Sequence, residues 1–114
     1  MKESDIRIKV MLDEEQVPDR IFWDADDKGG DGPEEARAVS VALWDHMRKN
    51  TLRIDLWTKE MPVDEMKRFY IDSIGGLAQS LLNATGDQFM AEEMNSLCEK
   101  LVKHVEEENK NQQS

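Results

Sequence analysis

Several things that define common protein classes are scarce in this sequence. With a single cysteine, Cys98, no intramolecular disulfide can form, which points away from a secreted, disulfide-stapled scaffold and toward a reducing compartment. No apolar run approaches the roughly 18 residues of a membrane span, and Met1-Lys2-Glu3-Ser4-Asp5 leads into alternation rather than the apolar stretch of a secretion signal. The expected location is the cytoplasm, without membrane insertion. Basic residues are few: 15 Lys and Arg stand against 25 Asp and Glu, a net charge of −10, and the nearest basic neighbours are the pairs Arg48-Lys49 and Lys67-Arg68. Phosphate backbones need clustered cations, so nucleic acid is excluded as an expected partner.

The chain of 114 residues has room for one core, and 39% hydrophobic residues suffice to fold it. One domain is expected over residues 1–105, followed by a polar, disordered tail over 106–114 that begins Glu106-Glu107-Glu108.

Residues 5–12 alternate strictly, with Ile6, Ile8, Val10 and Leu12 on one face and Arg7, Lys9 and Met11 on the other. This period of two predicts a strand buried on one side. Residues 13–19 read as an acidic turn around Pro18, and residues 20–25 as a second strand with Ile21, Trp23 and Ala25 opposed to Phe22. A short link joins the two strands, so an antiparallel hairpin is expected. An Asp- and Gly-rich loop over 24–32 follows. Pro33-Glu34-Glu35 suits a first helical turn, and the spacing of Ala36, Val39, Leu43 and Met47 predicts a helix to about Lys49. The third strand, over 51–58, alternates Leu52, Ile54 and Leu56 with Arg53, Asp55 and Trp57. Met61-Pro62 opens a second helix that carries Gly75-Gly76, where a kink or a close packing contact is expected. A break centred on Gly86 separates it from a third helix ending near Val105. The fold class is therefore α+β, in the order β-β-α-β-α-α, with a small three-stranded sheet covered on one face by helices.

Motifs for chemistry are weak. Counting from Asp24, the loop places Asp26, Gly29 and Glu35 at EF-hand positions, but Lys28 puts a cation where an oxygen ligand belongs and Pro33 sits inside the loop. A solvated loop is the better reading. His46 and His104 lack companions at metal-ligand spacing, and Cys98 has no base beside it to make a nucleophile. No metal, cofactor or catalytic residue is expected. The polar face of the sheet is the stronger candidate: Met11, Phe22 and Trp57 share it with Arg7, Lys9, Arg53 and Asp55. Large apolar side chains ringed by charge suit a protein-binding patch. Folding alone is the competing explanation, with Trp57 packed at a corner or stacked on an arginine.

The segment Leu52-Arg53-Ile54-Asp55-Leu56-Trp57-Thr58-Lys59-Glu60-Met61-Pro62-Val63-Asp64-Glu65-Met66-Lys67 closely resembles the central signature of the gliding-motility protein GldC family, and Ile21-Phe22-Trp23 and Leu43-Trp44-Asp45 also resemble its pattern. The resemblance implies a small cytoplasmic accessory protein of the Bacteroidota, associated with gliding motility and linked protein secretion. It brings no catalytic residue or cofactor. The expected role is binding a protein of the motility or secretion machinery through Met11, Phe22, Arg53, Asp55 and Trp57. The rivals are a small-ligand-binding domain and a structural homodimer.

Overall fold

A computed structural model describes residues 2–113, with side chains through residue 111. These residues form five strands and two helices, an α+β protein. They divide into two compact units, with the boundary between Met61 and Pro62.

The first unit holds two antiparallel sheets. In one, β1 (Ile6–Leu12) pairs with β2 (Pro18–Ala25), which pairs in turn with β3 (Glu34–Ala36). As expected from the short link, β1 and β2 are an antiparallel hairpin. Its turn is held by the Asp13 carboxylate, whose Oδ1 accepts the Glu15 and Val17 amides at 2.8 and 3.0 Å. Ile21 is wholly buried because it lies on the central strand, with Val10 opposite on one side and Ala36 on the other. In the second sheet, β4 (Ala38–Trp44) pairs with β5 (Thr51–Trp57).

The helix expected over residues 33–49 is instead β3, β4 and the turn after them, so the order is five strands followed by two helices. The apolar residues that suggested a helical stripe also alternate: Val39, Val41 and Leu43 lie on one face of β4, and Ser40, Ala42 and Trp44 on the other. β-Branched valines favour the pleated surface, and pairing with β5 outweighs the helix-start signal of Pro33-Glu34-Glu35. The three-stranded sheet exists, but its third strand is Glu34–Ala36, while Thr51–Trp57 joins the separate pair. Glu35 marks the difference: its carboxylate binds Arg20 on β2 rather than serving a helix end.

The second unit is a helical hairpin. α1 (Val63–Thr85) starts after Pro62, with Asp64 and Glu65 in its first turn. It ends at Gly86, whose left-handed φ of 72° lets its amide reach the Leu82 carbonyl at 2.8 Å. α2 (Gln88–Gln113) is capped by Asp87, which accepts the Met90 amide at 3.0 Å. The helix expected to end near Val105 therefore continues through the segment expected as a tail, apart from Ser114, which lies outside the described residues. Lys67 supports that extension by an ion pair of 2.8 Å to Glu108. This contact holds the Glu108 carboxyl below its usual range.

The seam between the helices follows a heptad pattern, with Ala91, Met94, Cys98, Leu101 and Val105 at alternating steps of three and four on α2. Ala78 and Ala91 are its buried members. Cys98 Sγ donates to the Ile71 carbonyl at 3.6 Å, and Gly75 lies across from it. α1 runs unbroken through Gly75-Gly76. A methyl at Gly75 would meet Cys98 Sγ at 4.0 Å, and one at Gly76 would meet nothing within 4 Å. Gly76→Ala is therefore expected to stabilise the chain by up to about 1 kcal/mol through helix propensity alone, measured as a rise in the chemical-denaturation midpoint. A loss of stability would show that Gly76 serves an approach by something else.

Candidate interaction surface

The five residues expected to form one surface fall on two sheets. Met11 and Phe22 lie on β1 and β2, and Arg53, Asp55 and Trp57 on β5. Within each sheet the face assignments hold, because directly opposed residues in an antiparallel pair point the same way.

On the first sheet, Lys9 opposes Phe22, Met11 opposes Arg20, and Arg7 opposes Asp24. Arg20 lies two residues from Phe22 on the same face, and its guanidinium sits 4.9 Å from the ring centroid. The same guanidinium grips Glu35 through Nε at 3.2 Å and Nη2 at 3.1 Å. That contact lowers the Glu35 pKa and raises that of Arg20. Phe22 is thus half-covered by a fixed cation and not freely presented. Met11 remains 46% exposed. A shallow cavity of about 720 Å³ runs along this region past Arg7, Lys9, Met11, Phe22 and Pro33.

The loop that mimics a calcium site is occupied with other work. Asp26 binds Arg7 at 3.0 Å and accepts the Asp5 amide at 2.9 Å, and both contacts hold its carboxyl below the usual range, the amide more than the arginine. Asp24 accepts the Ala25 amide at 2.9 Å.

On the second sheet the register sets Ser40 opposite Asp55, Ala42 opposite Arg53, Ala38 opposite Trp57 and Trp44 opposite Thr51. Three polar groups close a small network at its centre. Ser40 Oγ donates to Asp55 Oδ1 at 2.6 Å, and Arg53 Nη2 donates to Asp55 Oδ1 at 3.0 Å and to Ser40 Oγ at 3.2 Å. Trp57 stands at one end of this face, 49% exposed, and Trp44 at the other, 65% exposed. With six residue steps between their cross-strand levels, they lie about 20 Å apart along the strands.

The sequence does not place Ser40 and Trp44 on this face, because residues 33–49 read as a helix. The alternation from Val39 to Trp44 carried the missing signal. The opposite face of this pair holds six aliphatic side chains, among which Leu43 and Ile54 are each 53% exposed.

Residues 18–107 match the model of the protein family described as gliding motility-associated protein GldC-like. Neither a curated protein nor a solved structure matches the chain.

The hydrogen bond from Ser40, and next that from Arg53, lowers the Asp55 pKa from its ordinary 3.8. A depressed folded value means that the network contributes stability above pH 3.8 and loses it as pH falls through the lowered midpoint. A carboxyl-carbon NMR titration should therefore find Asp55 titrating below 3.8 in the wild type and closer to 3.8 in Ser40→Ala. An unchanged midpoint would mean that the hydroxyl contact does not persist in solution.

Proposed function

We propose that this chain, which belongs to the GldC-like family of gliding motility-associated proteins, is a non-enzymatic cytoplasmic accessory protein that binds a component of the motility or linked secretion machinery. The observation that carries the reading is the face of β4 and β5 with Trp44 and Trp57 at its ends and the Ser40–Arg53–Asp55 network between them. Tryptophan supplies large contact area with little rotamer entropy to lose, and it is enriched at the energetic centres of interfaces. The network suits the same task. Arg53 and Asp55 satisfy each other, so a partner meets a prearranged pair of polar groups without having to order either one.

This reading replaces the expected surface with one confined to a single sheet. Arg53, Asp55 and Trp57 stay, Ser40 and Trp44 join them, and Met11 and Phe22 belong to a separate patch. That patch favours a second reading, binding of a small ligand in the cavity beside Phe22. Its mouth combines an aromatic ring with Arg7 and Lys9. A thermal-shift screen with anionic aromatic metabolites tests it, and no shift across the panel would count against it.

For the main reading, wild type and Trp57→Asp are compared as bait in lysate of a gliding bacterium, with circular dichroism confirming that the variant is folded. Wild type is expected to recover a motility or secretion component that the variant loses by at least about 10-fold, the effect of losing an interface anchor worth ~1.4 kcal/mol or more. Trp44→Asp should weaken the same capture. Equal recovery by all three proteins would remove this face from consideration.

A further inference from the structure

The outer edge of β5 is an unpaired row of backbone hydrogen-bonding groups. At one end of the β4–β5 ladder the Asp45 amide donates to the Asn50 carbonyl at 2.9 Å, and at the other the Thr58 amide donates to the Arg37 carbonyl at 2.8 Å. The register between these ends is unbroken, so the hydrogen-bonded pairs alternate along it. Leu52, Ile54 and Leu56 turn their N–H and C=O groups toward β4. Thr51, Arg53, Asp55 and Trp57 turn theirs away from it. β5 ends its sheet, and no strand among the described residues lies beyond it. The second unit cannot complete the ladder, because α1 and α2 engage their backbone groups internally. Two strands alone make a marginal sheet, which a further strand strengthens.

We propose that a second copy of the chain supplies that strand. β5 pairs antiparallel with the β5 of its partner about a two-fold axis at Ile54, giving a four-stranded sheet in the order β4-β5-β5-β4. The charge pattern of the edge selects a second copy. Outward-facing groups must meet outward-facing groups, so a symmetrical pairing is centred on one residue, and the centre decides what opposes what. Centred on Ile54, Arg53 opposes the partner's Asp55, Asp55 opposes the partner's Arg53, and Leu52 opposes the partner's Leu56. Both unlike-charge pairs fall at hydrogen-bonded positions. Ile54 meets the partner's Ile54 at a non-hydrogen-bonded position, where side chains approach most closely. Moving the centre to Arg53 or Asp55 sets like charges against each other, which is unfavourable.

The polar atoms suit this pairing. The Ser40–Arg53–Asp55 network uses Asp55 through Oδ1 and Arg53 through Nη2, which leaves Oδ2 and the other guanidinium N–H groups to reach across the edge. The edge of β1 fails the same test. Centred on Ile8 it sets Arg7 against Lys9, and centred on Lys9 it sets that cation against itself. β4 carries no charge that would fix a register. The inference is independent of the proposed binding role, since the face with Trp44 and Trp57 stays open and two copies of it stand side by side in one sheet.

The test is sedimentation equilibrium of the full chain. Wild type is expected at twice the 13.2 kDa chain mass at concentrations up to about 1 mM. Arg53→Asp and Asp55→Arg, each alone, should weaken association by at least about 10-fold, because each sets like charges at both pairs. An equimolar mixture of the two variants should restore the dimer, since the carboxylates of one chain then meet the guanidinium groups of the other. A role in folding alone cannot produce rescue by mixing. Where a variant fails to fold by circular dichroism, amide hydrogen exchange on the wild type gives the reading. The Arg53 and Asp55 amides should exchange at least about 10-fold more slowly at ~1 mM than at ~20 μM, while those of Ile8 and Val10 on the outer edge of β1 keep one rate. A monomeric wild type overturns the proposal. So does a dimer that the folded single variants retain, that mixing fails to restore, or whose Arg53 and Asp55 amides exchange at one rate throughout, since the contact would then lie elsewhere.

Discussion

The register of β4 against β5 is the constraint on which the candidate surface depends, and the turn at Asp45 fixes it. The Asp45 carboxylate accepts the Met47 and Arg48 amides at 3.1 and 2.6 Å. Its own amide reaches the Asn50 carbonyl at 2.9 Å, and Lys49 closes the turn at a left-handed φ of 57°. Because side chains alternate, a slip of one residue would carry Ser40 and Trp44 of β4 to the face away from Trp57 and put aliphatic residues beside Arg53. The short Ser40–Asp55 contact and the aspartate turn thus report the same alignment from opposite ends of the hairpin.

Charge is arranged economically. Arg7, Arg20, Arg53, Lys59 and Lys67 each hold a carboxylate. Most of these pairs are solvent-exposed and contribute little stability individually. Their value is positional, since all but the Arg53–Asp55 pair, which lies within β5, join different segments and orient the side chains beside them. Arg20, for example, holds Glu35 and covers Phe22 at once. The acidic excess is left on the outer surfaces.

Much of this was legible in the sequence where a single periodicity dominated. β1 shows an unbroken alternation, β5 another, and the helices over 63–85 and 88–113 show long apolar repeats punctuated by Gly86. The stretch from Pro33 to Lys49 failed because two periods coexist there. Val39 and Leu43 satisfy a helical step, while Val39, Val41 and Leu43 satisfy a strand, and only the partner strand decides between them. That single ambiguity hid Ser40 and Trp44 and merged two sheets into one. The end of α2 failed for another reason. Its polar sequence looks like a tail until Lys67, 41 positions earlier, supplies the partner for Glu108, and no local window contains both.

The strand pairings and the helix pairing described above all join elements that are neighbours in the chain: β1 with β2, β2 with β3, β4 with β5, α1 with α2. No crossover has to wait for a distant segment. Chains of this kind pay little loop-closure entropy before contacts form, and they fold quickly. During synthesis each hairpin has its partner strand or helix as soon as it leaves the ribosome. Lys59 adds contacts of longer reach: its ammonium lies 3.0 Å from Asp13, 46 positions away, and its amide donates to the Pro18 carbonyl at 3.1 Å. These clasp a β1–β2 turn that Asp13 already holds through the Glu15 and Val17 amides, and they become available only once β5 has been made.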